Sequence, residues 1–172
     1  MIKLASLEQI VRTLNAQGVR FLIAGGVAVN GYGYLRVTKD LDIAVALDAQ
    51  AFHAAVIALE SIGYAPKIPV TAEMIADPAN RERWRAEKGM LVFQMWNDSH
   101  RETPIDIFTT LPFDFETAFA SSIEENLAPG LEVRLVPLDL LIAMKQEAAR
   151  PRDLDDIDHL RQIQSIRAEK NG

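Results

Sequence analysis

Residues 21–45, FLIAGGVAVNGYGYLRVTKDLDIAV, constrain this chain more than any other stretch. An apolar run from Phe21 to Ala24 meets the pair Gly25–Gly26, and Arg36, Thr38, Asp40 and Asp42 then recur at every second position. Strand side chains alternate between faces, so these four polar groups are expected on one face. Leu41 and Ile43 would point the other way, into a core. Two carboxylates on one face of a buried strand are costly unless a cation sits between them. A divalent metal carrying a phosphate-bearing substrate is the natural candidate.

A later apolar segment, Ile105-Asp106-Ile107-Phe108, carries a third carboxylate. If it pairs with the Asp40/Asp42 strand, the three carboxylates converge. Such a set can hold two Mg²⁺ or Mn²⁺ ions about 3.5–4 Å apart, the spacing used for in-line displacement at phosphorus. Gly25 and Gly26 could form only a tight turn. Beside the carboxylates, a phosphate cradle is the sharper reading, since helix N-terminal amides favour anions. A Walker A loop is excluded, because Gly31 is followed by Tyr32-Gly33 rather than Lys-Ser/Thr. No Gly-x-Gly-x-x-Gly follows the strand, which excludes a dinucleotide fingerprint.

The chain has 172 residues, of which 49% are hydrophobic, and no cysteine. One domain is expected, with a core over about 1–110 and a helical region over about 111–172. Without cysteine there are no disulfides or thiolate metal sites. The N-terminus lacks a signal-peptide pattern and no run is long enough to span a bilayer, so a cytoplasmic protein without membrane partners is expected. A net charge of −6 argues against nucleic-acid binding driven by overall charge. Arg81, Arg83, Arg85 and Lys88 form a local basic run, read first as a solvated helix face, with Trp84 as a packing residue or a base contact.

Helices are expected over 7–17, where Ser6 and Gln9 suggest a capping box, and over 27–32, 49–61, 113–121 and 137–149. A last helix is expected with Asp153 as its cap. Strands are expected over 21–24, 41–47, 90–96 and 105–108, with two short ones about the Pro129–Gly130 turn. Residues 79–88 suit an exposed, mobile helix. Arg36 suits either a carboxylate or a phosphate partner. Lys145 interrupts an apolar helix, where it could snorkel to solvent. Asp153, Asp155, Asp156 and Asp158 suit a helix N-terminus better than a metal site, and they lack EF-hand spacing.

The apolar strand, Gly25–Gly26, Asp40-Leu41-Asp42 and the later Asp106 together resemble the nucleotidyltransferase superfamily, of polymerase-beta-like fold. Within it, GGVAVNGYGYLRVTKDLD and LIAMKQEAARPRDLDDIDHL are similar to the branch of AbiEii-type toxins and small bacterial relatives. The resemblance implies an α/β (α+β) fold: a small mixed sheet, flanking helices and a helical C-terminal region. It implies metal-dependent transfer of a nucleoside monophosphate from an NTP to a hydroxyl-bearing acceptor, whether tRNA, protein or small molecule. Asp40, Asp42 and Asp106 would be the catalytic, metal-holding set. Gly25, Gly26, Arg36, Thr38 and Lys145 would bind the nucleotide, with Lys145 reaching its phosphates. An antitoxin partner is a further expectation. A degenerate relative that binds without catalysis is the alternative.

Overall fold

The computed structural model describes residues 1–171. Seven strands form one mixed sheet: β1 (Phe21–Ile23), β2 (Leu41–Val45), β3 (Ala65–Pro66), β4 (Val92–Trp96), β5 (Ile105–Phe108), β6 (Ile123–Ala128) and β7 (Leu131–Leu135). Their spatial order is β3-β4-β5-β2-β1-β7-β6. β2 lies at the centre, antiparallel to β1 and parallel to β5. β1 and β7 are parallel, and the outer pairs are antiparallel.

The helices are α1 (Leu4–Ala16), α2 (Gly25–Tyr32), α3 (Ala49–Glu60), α4 (Ala72–Ala76), α5 (Pro78–Lys88), α6 (Phe115–Ser121), α7 (Leu138–Ala148) and α8 (Pro151–Asn171). α1 and α3 pack together over one face of the sheet. Ile10, Leu14, Phe52, Val56 and Leu59 there meet Leu41, Ile43, Phe93, Met95, Ile105 and Ile107 of the strands, and all are fully buried or nearly so. Each such side chain contributes about 1.5–3 kcal/mol of burial, which outweighs the cost of ordering β2 beneath the site. α2 packs on the other face, joined by α7 and α8.

Local chemistry sets most element ends. Asp48 caps α3 by accepting from the Ala51 N–H at 2.9 Å. Asp77 caps α5, with Pro78 at the first helical position. The Ser6 capping box does not form. α1 begins at Leu4, and Ser6 is buried inside the first turn, its Oγ 2.8 Å from His100 Nδ1. A tertiary partner there outcompeted the local cap. α2 starts at Gly25 rather than Val27, so both glycines lie in its first turn.

The expectation of an exposed helix over 79–88 holds for most of α5 and is corrected at one inward face. Arg81 and Trp84 of α5 are buried. The Arg81 guanidinium donates to the carbonyls of Ile75 and Ala76 at the end of α4, each at 2.7 Å, and to Leu47 O, and it lies over the Phe52 ring. Those carbonyls end a one-and-a-half-turn helix and would otherwise be unpaired in the interior. Arg81 therefore locks α4 and α5 onto α3.

Candidate active site

The centre of the sheet carries a transverse row of carboxylates. The parallel register of β2 and β5 pairs Asp42 directly with Asp106, flanked by Leu41↔Ile105 and Ile43↔Ile107. The flanking apolar residues are fully buried on the α1/α3 side, so both carboxylates project on the α2 side. Asp40 lies just before β2, half-buried. Among the described residues no group of three or more His, Cys, Asp or Glu is gathered as a metal-holding cluster. Asp42 and Asp106 are adjacent; Asp40 reaches both through its charge without closing the set.

That charge is felt. Burial, then the neighbouring Asp40 and Asp106 carboxylates, push the Asp42 carboxyl up to about 7. Lys145 and Arg150 oppose the shift. The Asp106 carboxyl is also raised, chiefly by burial and by Asp40. It is partly restored by a hydrogen bond from Gln94 Nε2 to Asp106 Oδ1 (2.8 Å) and by the charges of Lys67 and Arg150. Crowded, desolvated carboxylates with little compensation mark a place that gains from a cation.

Gly25 explains how α2 meets this row. Its φ is +57°, and a Cβ there would lie 1.8 Å from Asp42 Oδ2. Only glycine lets the first turn of α2 come so close to the carboxylate. No side chain caps this helix start. Gly26 makes room for the loop between α2 and β2: a Cβ on it would lie 2.4 Å from Thr38 Oγ1 and 3.0 Å from an Arg36 guanidinium nitrogen.

The strand-like alternation from Arg36 to Asp42 does not extend as one strand, because β2 begins only at Leu41. Thr38 is buried against Gly26, and its hydroxyl donates to Asp40 O at 3.3 Å. Arg36 turns to α8. Its NH2 donates to Asp156 Oδ2 at 2.8 Å, and its Nε lies 2.6 Å from Asp156 Oδ1, out of line for a hydrogen bond. Lys145, buried on α7, donates to the same Asp156 Oδ2 at 2.5 Å and to Asp153 Oδ1 at 3.2 Å. Snorkelling is thus corrected: Lys145 points inward. Asp153 also accepts from the Arg150 N–H at 3.2 Å, capping α8 from within its first turn. Asp156 is fully buried. It is the partner of two cations, a role that a simple helix-start reading missed.

The sequence reading also missed Gln94 and Lys67, whose side chains adjoin Asp106. The available signal was the alternation of Gln94 with apolar Phe93 and Met95 in a strand. A surface depression of about 330 Å³, lined by Asn15, Arg20, Phe119, Glu124 and Arg134, lies away from the carboxylates. Its arginines are engaged by Glu116 and Glu124.

Two solved structures illustrate the likeness of fold. The lincosamide antibiotic adenylyltransferase LnuA, bound to lincomycin, is 15% identical, with a TM-score of 0.59 over 94% of this chain and 98% of that one. ANT(2")-Ia in complex with adenylyl-2"-tobramycin is 13% identical, with a TM-score of 0.61 over 96% and 94% of the two chains. At that identity the likeness speaks for the fold. The family described as "Nucleotidyl transferase AbiEii toxin, Type IV TA system" matches residues 9–170, and the chain belongs to it. It is therefore a nucleotidyltransferase of α/β architecture. No functionally curated protein matches the sequence. No helix among the described residues is long and apolar enough to cross a membrane.

Proposed function

We propose that the chain transfers a nucleoside monophosphate from an NTP to a hydroxyl-bearing acceptor in a divalent-metal-dependent reaction, as the toxin of a toxin–antitoxin pair. The observation that carries this reading is the register of Asp42 against Asp106, with the uncapped start of α2 pressed onto Asp42. The donors are carboxylate oxygens, which suit Mg²⁺ or Mn²⁺. The raised Asp42 carboxyl fits the same role, since a bound cation would hold it ionised. Asp40, Asp42 and Asp106 would hold the metal, which when bound neutralises charge on the triphosphate and the leaving group.

The chain's own residues do the rest. The first-turn amides of α2 at Gly25 and Gly26 receive phosphate oxygens, where the helix dipole favours negative charge. Thr38 fixes the approach to Asp40 through its bond to the Asp40 carbonyl. Arg36 and Lys145 stand one contact behind, bonded to Asp156. Lys145 also lends its charge toward Asp42, so it can serve the triphosphate without leaving its partner. Asp106 accepts the proton of the attacking hydroxyl. The acceptor oxygen bonds to the α-phosphorus, the bond to the bridging oxygen breaks, and pyrophosphate leaves with the electron pair.

The family description supports an antitoxin partner, and LnuA and ANT(2")-Ia are named with small-molecule ligands. The acceptor class, tRNA, protein or small molecule, is decided by experiment. Incubation with each α-labelled NTP, Mg²⁺ and cell extract should label one fraction, and Asp42→Asn should abolish the label. Equal labelling by that variant, or none by the wild type, overturns the reading.

A further inference from the structure

The polar row does not end at Asp106. β4 pairs antiparallel with β5, placing Gln94 opposite Asp106, so Asp42, Asp106 and Gln94 lie side by side across three strands. Phe93 and Met95, on either side of Gln94, are fully buried on the opposite face. Gln94 Nε2 donates to Asp106 Oδ1 at 2.8 Å. Lys67 Nζ donates to Gln94 Oε1 at 2.6 Å. The amide can stand only this way round: reversed, its oxygen would face a carboxylate and its NH2 an ammonium. The Lys67 backbone N–H also donates to Gln94 O at 3.0 Å, which keeps Lys67 beside Gln94 just past the end of β3.

This chain of donors is one-sided. It engages Asp106 Oδ1, and among the described residues no hydrogen bond reaches Oδ2. A carboxylate held at one oxygen loses rotation about its terminal torsion and presents the other in a set direction. Pre-orientation of that kind is what a proton acceptor in an in-line displacement needs. Both partners sit on the open, β3 side of the row, away from the start of α2 that would hold the triphosphate. On the transfer reading, that is the side left for the acceptor. They are also peripheral to the core, since Lys67 is exposed and Gln94 half-buried.

We propose that Gln94 and Lys67 are positioning residues for the acceptor half of the reaction, together holding Asp106 Oδ1 so that Oδ2 faces the incoming hydroxyl. The inference rests on the transfer reading above, in which Asp106 takes the acceptor proton. It separates two groups of residues that a shared active site would otherwise blur. Gln94 and Lys67 govern turnover, whereas the α2 glycines govern the nucleotide.

The test uses the full chain with Gln94→Met, Lys67→Met and Lys67→Arg. The readout is transfer of label from α-labelled NTP into cell extract, titrated in NTP. Gln94→Met should lower the apparent kcat about tenfold or more with the NTP KM within about twofold of wild type. Lys67→Met should lose less, about threefold, and Lys67→Arg, which keeps a donor, should recover most of it. A wild-type rate in Gln94→Met, or a loss carried by the NTP KM, overturns the proposal. A second measurement does not depend on activity. The side-chain amide resonances of Gln94 in ¹⁵N–¹H spectra should shift, and their hydrogen exchange should quicken, in both Asp106→Asn and Lys67→Met. Amide resonances that stay put in both variants overturn the proposal whatever the kinetics. If the wild type labels nothing, the transfer reading falls on its own, and the amide spectra still decide whether the donor chain exists.

Discussion

Asp42 and Asp156 are both aspartates on the helix-covered side of the sheet, and their surroundings are opposite. Asp156 is fully buried and touches Arg36 and Lys145, so its charge is compensated within the fold. Asp42 faces Asp106 and Asp40, with a glycine pressed against it, and its carboxyl is pushed up to about 7. The first cluster ties the loop before β2 to α7 and α8. The second carries a charge imbalance that the fold leaves unresolved. Buried charge of the balanced kind holds structure, and the unbalanced kind waits for a ligand.

Breaking the balanced cluster should have the largest effect. Asp156→Ala leaves the largely covered Arg36 without its carboxylate and the buried Lys145 with Asp153 alone, and should cost about 3–5 kcal/mol in urea unfolding. A loss below about 1 kcal/mol would mean that solvent reaches the cluster and that the contrast with Asp42 is overstated. The basic run of α5 divides in a similar way. Arg81→Ala should cost about 2–3 kcal/mol, because it unpairs interior carbonyls, whereas Arg83→Ala and Arg85→Ala should each stay within about 0.5 kcal/mol. Equal effects at the three positions would return the run to a solvated face.

Gly25→Ala sharpens the unbalanced side. The left-handed φ and the 1.8 Å approach to Asp42 Oδ2 forbid a Cβ. The variant should lose about 1–3 kcal/mol of stability and most of its Mg·NTP binding, measured by calorimetry. Gly130→Ala, in a hairpin turn with φ +71° and open space around it, should lose stability alone. If both variants bind the nucleotide equally, the start of α2 is not its cradle.

What the sequence made legible follows from period and order. Leu41 and Ile43 alternate with Asp42, and Ile105 and Ile107 with Asp106, so the two carboxylates could be assigned to core strands before any pairing was known. Their union depended on β2 and β5 being neighbours, which the family resemblance supplied. Partners distant in sequence stayed hidden. Arg36 and Asp156 are 120 residues apart, and nothing local says that a helix-start aspartate is a fully buried counter-ion. Gln94 is visible as a polar residue in a strand, yet its bond to Asp106 exists only through the β4–β5 register. Trp84 was legible as a packing residue, and it is buried; Arg81 looked exposed because α5 is polar along most of its length, and one inward-facing arginine is lost in that average.

The most direct test of the contrast compares wild type with Asp42→Asn in metal-free buffer as pH is varied. A carboxyl raised from 3.8 to about 7 binds its proton more tightly in the folded state. The stability it contributes is full below pH 3.8 and is lost as pH rises through about 7. Urea unfolding at pH 8 should therefore find Asp42→Asn more stable than wild type by about 1–3 kcal/mol. The gap should shrink towards pH 4, and millimolar Mg²⁺ should close it by stabilising the wild type alone. An Asp42→Asn variant that is less stable than wild type at pH 8, or as responsive to Mg²⁺, would contradict the claim that the β2–β5 carboxylates are held uncompensated for a cation.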